Sequence, residues 1–271
     1  MTRVRLDQLI VDRGLCESRS RARAMLLAGR VRVGSGDGAR FDRKPGDLVP
    51  PDMPLELAAV TPYVSRGGEK LAGALDAFGV DPGGRICLDV GASAGGFTDV
   101  LLRRGAARVY ALDVGRGQLA ETLRSDPRVV SMERTNARRL DPASDDAVVL
   151  PELVSLAVAD VSFISLTRVL PGMAAQLEPS GEAVPLVKPQ FESQPRDVPK
   201  GVVRDPAVRQ AAVRKVREAA ESMGFVVRGE VESSLVGPQG NHEFFLHLAL
   251  SDGPAETSRM ARVPVSGVTR P

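Results

Sequence analysis

Over the first sixty residues the apolar positions recur at helical spacing. Leu6, Leu9 and Ile10 stand at i, i+3 and i+4 and Gly14 follows, which predicts a short helix closed by a left-handed glycine. Ser18 is placed to cap a second helix, with Ala22, Met25 and Leu26 inward and Gly29 at its end. From 30 to 34 the period becomes two. Arg30 and Arg32 alternate with valines, as on a strand with both arginines on one side. Farther along, a short apolar run at 86–90 carries an acid near its end. A glycine-rich turn at 91–96 follows, then a helix from about 97 to 104 stopped by Gly105, then a second apolar run at 109–113. These are the parts of a β-α-β unit with buried parallel strands. Strand-like runs recur at 153–159, 183–187, 225–227 and 244–250. Asp205 and Pro206 open a long helix whose inward stripe is Val208, Ala212, Val216, Ala219 and Met223, ended by Gly224. The expected fold class is α/β, an open sheet domain preceded by a small α+β module.

Composition narrows the setting more than the chemistry. With 43% hydrophobic and 26% charged residues among 271, the chain reads as an ordinary soluble globular protein. Its two cysteines, Cys16 and Cys87, are too few for a disulfide framework and do not resemble a metal cluster, so no metal is expected. The opening residues lack the apolar core of a signal peptide, and the most apolar stretch, 147–166, is broken by Pro151, Glu152 and Asp160. A reducing, cytoplasmic setting is the expectation. The small and polar residues of 251–271 predict a disordered tail.

Charge is unevenly spread. Residues 1–34 hold eight arginines against Asp7, Asp12 and Glu17, a local charge of +5 in a chain whose total is +2. A basic head on a slightly acidic body fits a module that docks a polyanion, although a solvated charged face has the same composition. Arg19 and Arg23 share one face of the second helix, outside its apolar stripe, and Arg21 lies on another flank.

The glycine turn bears on the cofactor. A dinucleotide site needs G-x-G-x-x-G, and Ser93 stands where its second glycine would be; a phosphate-binding P-loop is absent as well. A cofactor without phosphates fits better. S-adenosylmethionine would present its amino-acid end to Gly91, Ser93 and Gly95, and its ribose to Asp113, twenty-two residues after Gly91. Three polar residues flank predicted strands: Asp160 and Lys188 at carboxyl ends, where open α/β sheets gather ligands, and Glu243 before the last strand. Lys70 lies in the segment 65–71, just before the helix expected to lead into 86–90. His242 and His247, five apart, read as ordinary strand residues on opposite faces.

These residues carry two resemblances. Residues 3–58, with Arg-Leu-Asp-Gln-Leu-Ile-Val-Asp-Arg-Gly-Leu, Ser-Arg-Ser-Arg-Ala-Arg and Ala-Gly-Arg-Val-Arg-Val, resemble the S4-like (alpha-L) RNA-binding domain. The whole chain, over roughly 3–250, is similar to the TlyA family of ribosomal RNA methyltransferases, which often carry the label hemolysin. The carriers are Ser-Arg-Gly-Gly-Glu-Lys-Leu (65–71), Asp-Val-Gly-Ala-Ser-Ala-Gly-Gly-Phe-Thr-Asp (89–99), Glu-Arg-Thr-Asn-Ala-Arg (133–138), Ala-Asp-Val-Ser-Phe-Ile-Ser-Leu (159–166), Leu-Val-Lys-Pro-Gln-Phe-Glu (186–192) and Gly-Asn-His-Glu-Phe-Phe (240–245). The connector Thr-Pro-Tyr-Val and the segment 193–200 depart from the pattern and bear on substrate docking.

The resemblance implies an S4-like domain at 1–58, a linker at 59–64 and a Rossmann-like S-adenosylmethionine-dependent methyltransferase domain at 65–250. It implies 2′-O-methylation of ribose, on cytidine in 16S and 23S ribosomal RNA, with ribosomal RNA or its subunits as partner. Lys70, Asp160, Lys188 and Glu243 match the Lys-Asp-Lys-Glu tetrad of ribose 2′-O-methyltransferases. Cofactor contacts are implied for Asp89, Gly91, Ser93, Gly95, Gly96, Phe97, Asp113, Asn136 and Asp160, and RNA contacts for Arg5, Arg19, Arg21, Arg23, Arg30 and Arg66. In that scheme Lys188 activates the hydroxyl, as a proton acceptor if its pKa falls or electrostatically if it stays charged, and Asp160 orients it. Two other readings follow from the same residues. One is an RNA-binding protein with a silent methyltransferase-like domain, against which the intact motifs speak. The other is a membrane-active hemolysin, which would need an amphipathic or long apolar helix that the sequence does not display.

Overall fold

The computed structural model describes residues 3–35, 39–41, 43–57, 62–237 and 239–251. The tail expected at 251–271 therefore lies outside the described residues, except for Ser251. The N-terminal unit holds strand β1 (Val4–Arg5), helix α1 (Leu6–Asp12), helix α2 (Arg19–Leu27) and strands β2 (Val31–Val33), β3 (Leu48–Val49) and β4 (Leu55–Leu57). The strands pair antiparallel, β1 with β3 and β2 with β4. Leu6, Leu9 and Ile10 of α1 pack with Ala22 and Leu26 of α2 and with Val31, Val33 and Val49. Both helix ends follow the local chemistry expected of them. Ser18 Oγ accepts from Arg21 N at 3.2 Å, and Gly14 and Gly29 close the helices.

The second unit begins with helix α3 (Arg66–Phe78), followed by strand β5 (Ile86–Val90), helix α4 (Gly96–Arg103), strand β6 (Arg108–Leu112), helix α5 (Glu121–Arg124) and strand β7 (Val129–Met132). Strand β8 (Val154–Ala159), helix α6 (Leu170–Gln176), strand β9 (Leu177–Val187), helix α7 (Pro189–Glu192), helix α8 (Pro206–Ser222) and strands β10 (Phe225–Glu232) and β11 (Phe244–Leu250) complete it. Among the described residues seven strands form one sheet in the order β10-β11-β9-β8-β5-β6-β7. From β9 to β7 the strands run parallel; β11 is antiparallel to β9, and β10 to β11.

Alternate residues of each strand feed opposite faces. Leu88, Val90, Ala157 and Leu246 pack under α6 and α8 through Met173, Val213 and Val216. Cys87, Val109, Val158 and Phe245 pack under α3 and α4 through Leu71, Leu75, Val100 and Leu101. This burial on both sides is why β5 and β8 read as continuous apolar runs. The chain crosses from β5 to β6 on one side and reaches β8 on the other. A crevice therefore opens where the carboxyl ends of β5 and β8 meet.

Three strands differ from the sequence expectation. β9 starts at Leu177 rather than at 183, because its ladder with β8 shifts register between Val154 and Leu156 and the polar residues 178–181 bulge from it. β10 continues past 227 to Glu232 through a bulge before Gly229; it is an edge strand, so its outward half is polar and shows no apolar run. β2 begins at Val31, which leaves Arg30 outside the strand. His242 also precedes β11 rather than lying in it. Part of the linker expected at 59–64 falls on residues 59–61, outside the described residues. Tyr63 and Val64 pack against the α3–α4 cluster, and Val64 N donates to Asp99 Oδ2 at 2.9 Å.

Candidate active site

The turn after β5 is held by backbone bonds and by one acid. Gly91 N and Ala92 N both donate to Leu112 O, at 2.8 and 3.0 Å, tying the turn to the end of β6. Gly91 has φ +87, and a Cβ there would lie 2.5 Å from Asp160 O, so the approach of β8 leaves no room for a side chain. Gly95, φ +95, caps α4, and a Cβ on it would meet Leu123 Cδ1 at 2.3 Å. Gly96 is the first residue of α4. Ser93 adopts φ +48, a conformation secured by Asp113: Oδ2 accepts from Ser93 N at 2.8 Å and Oδ1 from Gly115 N at 2.7 Å. Ala92, Ser93, Asp113, Gln118 and Glu133 line one small hollow beside this turn. The turn, the acid and the hollow fit a cofactor that has a ribose and no phosphate. Sequence reasoning assigned no role to either Gln118 or Glu133: Gln118 stands in no motif, and Glu133 opens the quoted segment 133–138, from which only Asn136 was singled out.

Two of the cofactor-site expectations change in character. Asp89 is fully buried; Oδ2 accepts from Thr98 Oγ1 at 2.6 Å, and Oδ1 is buried with no hydrogen-bond partner among the described residues. Burial, with Asp160 and Asp113 nearby, pushes its carboxyl up to about 7 against the pull of the Thr98 bonds. Phe97 is also buried, its ring 6.0 Å from that of Phe245, so its side chain belongs to the core. Asn136 is exposed and caps a 3-10 helix, Ala137–Leu140, by accepting from Arg138 N at 3.0 Å.

The four polar residues at the strand edges form two ion pairs. Lys188 Nζ lies 2.5 Å from Asp160 Oδ1 and donates to Ser162 Oγ at 3.0 Å. Lys70 Nζ, on α3, lies 2.5 Å from Glu243 Oε2, and both of these side chains are buried. The pairs also interact with each other. Burial opposes the charge on Lys188, yet Asp160 and Glu243 outweigh it and raise its pKa. Burial likewise opposes the charge on Asp160, and Lys188 and Lys70 overcome it to lower its pKa. The four groups thus share one patch of field at the switch point.

A family model described as FtsJ-like methyltransferase matches residues 63–250. The chain belongs to the FtsJ-like methyltransferases. A model of the S4 domain matches residues 4–34 of this methyltransferase. It is 48% identical over 249 residues to a Mycobacterium tuberculosis protein named 16S/23S rRNA (cytidine-2′-O)-methyltransferase TlyA, covering 91% of this chain and 90% of that one. It is 40% identical over 248 residues to Hemolysin A of Brachyspira hyodysenteriae, covering 91% of this chain and 100% of that protein. The solved structure of a hemolysin-named protein from Streptococcus thermophilus superposes with a TM-score of 0.70 at 42% identity, covering 94% of this chain and 90% of that chain. Family and fold imply the use of S-adenosylmethionine. Among the described residues no helix is long and apolar enough to cross a membrane.

The arginines of the methyltransferase divide into two groups. Arg21 and Arg23 are exposed on α2. Arg5 and Arg19 both reach the buried Asp7, Arg5 through Nε at 3.0 Å and NH2 at 2.8 Å, Arg19 through NH2 at 3.1 Å, while about half of each side chain stays in solvent. Arg30 and Arg66, also expected to contact RNA, each have a partner within the protein. Arg30 NH2 donates to Tyr63 O at 2.9 Å. Arg66 lies 4.1 Å over the Phe41 ring and donates to Val236 O, and burial lowers its pKa.

One exposed aromatic stands out beside the tetrad. Phe163, three residues after Asp160, is 91% exposed with φ +63 and stacks on Phe191 at 5.2 Å. Aromatics make up only 4% of this chain, and the other described phenylalanines are buried or half-buried, so an exposed ring on a strained backbone sets Phe163 apart. Its neighbour Ser162 is the hydroxyl bound by Lys188. Sequence reasoning quoted the motif at 159–166 for Asp160 and passed over both.

Proposed function

We propose that this protein transfers the methyl group of S-adenosylmethionine to the ribose 2′-hydroxyl of cytidine in 16S and 23S ribosomal RNA, in the cytoplasm. The observation that carries the reading is the meeting of two Lys–carboxylate pairs at the switch point, directly beside the glycine turn. The named activity of the Mycobacterium tuberculosis relative supports the substrate. In this reading Gly91, Ser93, Gly95 and Asp113 hold the cofactor, which supplies an electrophilic methyl on a cationic sulfur. Asp89 sets the field beneath the turn, and Asn136 would add a further contact to the cofactor.

The charge state of Lys188 decides between its two possible roles. A lysine whose pKa is raised keeps its proton at neutral pH, so Lys188 acts as a donor and a fixed positive charge. It holds the ribose oxygen and turns a lone pair toward the incoming carbon, and Asp160 and Ser162 fix its direction. The hydroxyl proton passes to solvent water as the oxygen–carbon bond forms at the expense of the methyl–sulfur bond, when the oxygen is at its most acidic and no strong base is needed. Lys70 and Glu243 position the sugar from the α3 side. Phe163 offers a face on which the target or a flanking base stacks once it is out of its helix. Arg5, Arg19, Arg21 and Arg23 grip phosphates and set the register of the RNA.

The test is transfer of a labelled methyl group to isolated 30S and 50S subunits, followed by mapping of the modified ribose. Label on a cytidine 2′-oxygen is the expected result. Cofactor binding by calorimetry with no transfer to either subunit would instead mark a binding protein. Release of dye from detergent-free vesicles would favour the membrane activity implied by the hemolysin names.

A further inference from the structure

Glu192 ends α7, four residues after Lys188, and nothing in the tetrad chemistry calls for it. Its side chain is nevertheless one of the most buried acids in the chain, with 1% exposure. Oε1 accepts from the backbone N–H of Leu166 at 2.7 Å, and Oε2 accepts from Ser165 Oγ at 2.5 Å and from Lys215 Nζ at 3.0 Å. Lys215, on α8, also donates to the main-chain oxygen of Glu192 at 3.0 Å. Ser165 and Leu166 belong to the loop that follows Asp160. That loop and helix α7, which follows Lys188, are therefore joined twice. The first link is the Lys188–Asp160 pair; the second, a few residues farther along each, is the Glu192 carboxylate. The tilted Phe163–Phe191 contact lies between the two links, one ring from the loop and one from α7.

We propose that Glu192 is a positioning residue for methyl transfer, bracing the loop after Asp160 against helix α7, which follows Lys188. The inference rests on the reading that Lys188 and Asp160 act on the ribose hydroxyl. A carboxylate suits the task because it accepts several hydrogen bonds at fixed angles, which apolar packing cannot reproduce. The loop after Asp160 needs the restraint, since it contains the strained backbone of Phe163 and an exposed Ser162. The half-exposed Lys215 neutralises the buried charge from outside without entering the site. Glu192 touches neither reacting atoms nor cofactor, so its loss would appear in the alignment of Lys188 and Phe163 and not in cofactor affinity. A misplacement of about 1 Å at a site of this kind costs up to about a hundredfold in rate.

Three measurements on the full-length protein test this. Glu192→Ala is expected to lower turnover on ribosomal subunits by about tenfold or more with the KM for S-adenosylmethionine within about twofold of wild type. Glu192→Gln, which keeps an acceptor for Leu166 N and a partner for Ser165 Oγ, is expected to restore at least about half of the wild-type turnover. Hydrogen exchange read at the Leu166 amide should show protection lost in the alanine variant and kept in the glutamine variant. Wild-type turnover in folded Glu192→Ala, or a glutamine variant as impaired as the alanine one, would overturn the brace. Should Glu192→Ala fail to fold, the pair Ser165→Ala with Lys215→Met strips two partners from the carboxylate and carries the same expectation. Wild type assayed alongside separates the two ideas: if it transfers no methyl group the proposed function fails, and if it does while the variants match it only the brace fails.

Discussion

Lys188 Nζ and Asp160 Oδ1 stand 2.5 Å apart at the ends of two adjacent parallel strands, and each holds the other in its charged form. Burial disfavours both charges, yet the pKa of Lys188 rises and that of Asp160 falls. The stabilisation from the raised lysine is complete below its unfolded pKa and is lost only as pH climbs past the folded value. That from the lowered aspartate is lost as pH falls through the carboxylate range. Between those limits the pair stays ionised.

A charged Lys188 predicts a flat pH–rate profile. Measured in an Asp89→Asn background, which removes a carboxyl raised to about 7, single-turnover methyl transfer should vary little between about pH 6 and pH 9, because Lys188 with its raised pKa keeps its proton there. A rate that rises tenfold per pH unit through neutrality would show a lysine acting as base. Lys188→Ala should reduce transfer by roughly a hundredfold or more while cofactor affinity is kept.

Lys70 and Glu243 predict a non-additive effect on stability. Both side chains are buried, so removing one partner leaves an uncompensated charge, a cost of about 3–5 kcal/mol. Removing both together, as in Lys70→Met with Glu243→Gln, should cost clearly less than the sum of the two single changes. Chemical denaturation of the four proteins completes the cycle, and simple additivity would mean that the pair is not coupled.

How far the sequence carried this picture can be read from particular residues. Gly91, Gly95 and Asp113 were legible because a turn between two buried parallel strands leaves a fixed pattern of glycines and an acid. Ser18, Gly14, Gly29 and Asp205 were legible because caps are local chemistry, and each serves as expected. The first half of β9 was not, because its residues 178–181 bulge and have no apolar period. That Arg30 and Arg66 have partners within the protein was not legible, because charge is visible in a sequence and a long-range partner is not. Their partners, Tyr63 and Phe41, are 33 and 25 positions away. Glu192 escaped notice for the same reason: its burial depends on contacts from a different loop and a different helix.

Asp89 predicts a stability trend opposite to that of most carboxylates. Its carboxyl is pushed up to about 7, chiefly by burial, so the folded state holds a proton there that the unfolded chain releases near its ordinary value of about 4. This contribution is whole below about pH 4 and is lost as pH rises through about 7. Asp89→Asn keeps the shape and abolishes the titration. The melting temperature of the variant, relative to wild type, should therefore improve from pH 5 to pH 8. An unchanged difference at the two pH values would place Asp89 in its charged form throughout.

Asp7 predicts an effect of counter-intuitive sign on RNA binding. It is an acid within the most basic segment of the chain, and deleting a negative charge from a surface that meets phosphates ordinarily tightens binding. Here the acid is buried and receives Arg5 and Arg19 together, leaving the outer half of each guanidinium-bearing chain in solvent. The Arg5 bond, then that of Arg19, overcome burial and hold the carboxyl down at about 2. An ionised Asp7 thus sets two flexible side chains in fixed positions, which lowers the entropy that each would lose on gripping a phosphate. Asp7→Asn removes the charge that orders them. It should weaken association with ribosomal subunits severalfold at low salt, despite adding +1 to the net charge, and leave cofactor affinity unchanged. The arrangement itself should persist as pH is lowered to about 4, because a depressed carboxyl loses its stabilising bonds only as pH falls from its unfolded value toward about 2. Filter binding across a salt series reads the outcome directly. Tighter binding by Asp7→Asn, with the slope against salt otherwise as in wild type, would show that the acid only dilutes the positive face and orders nothing.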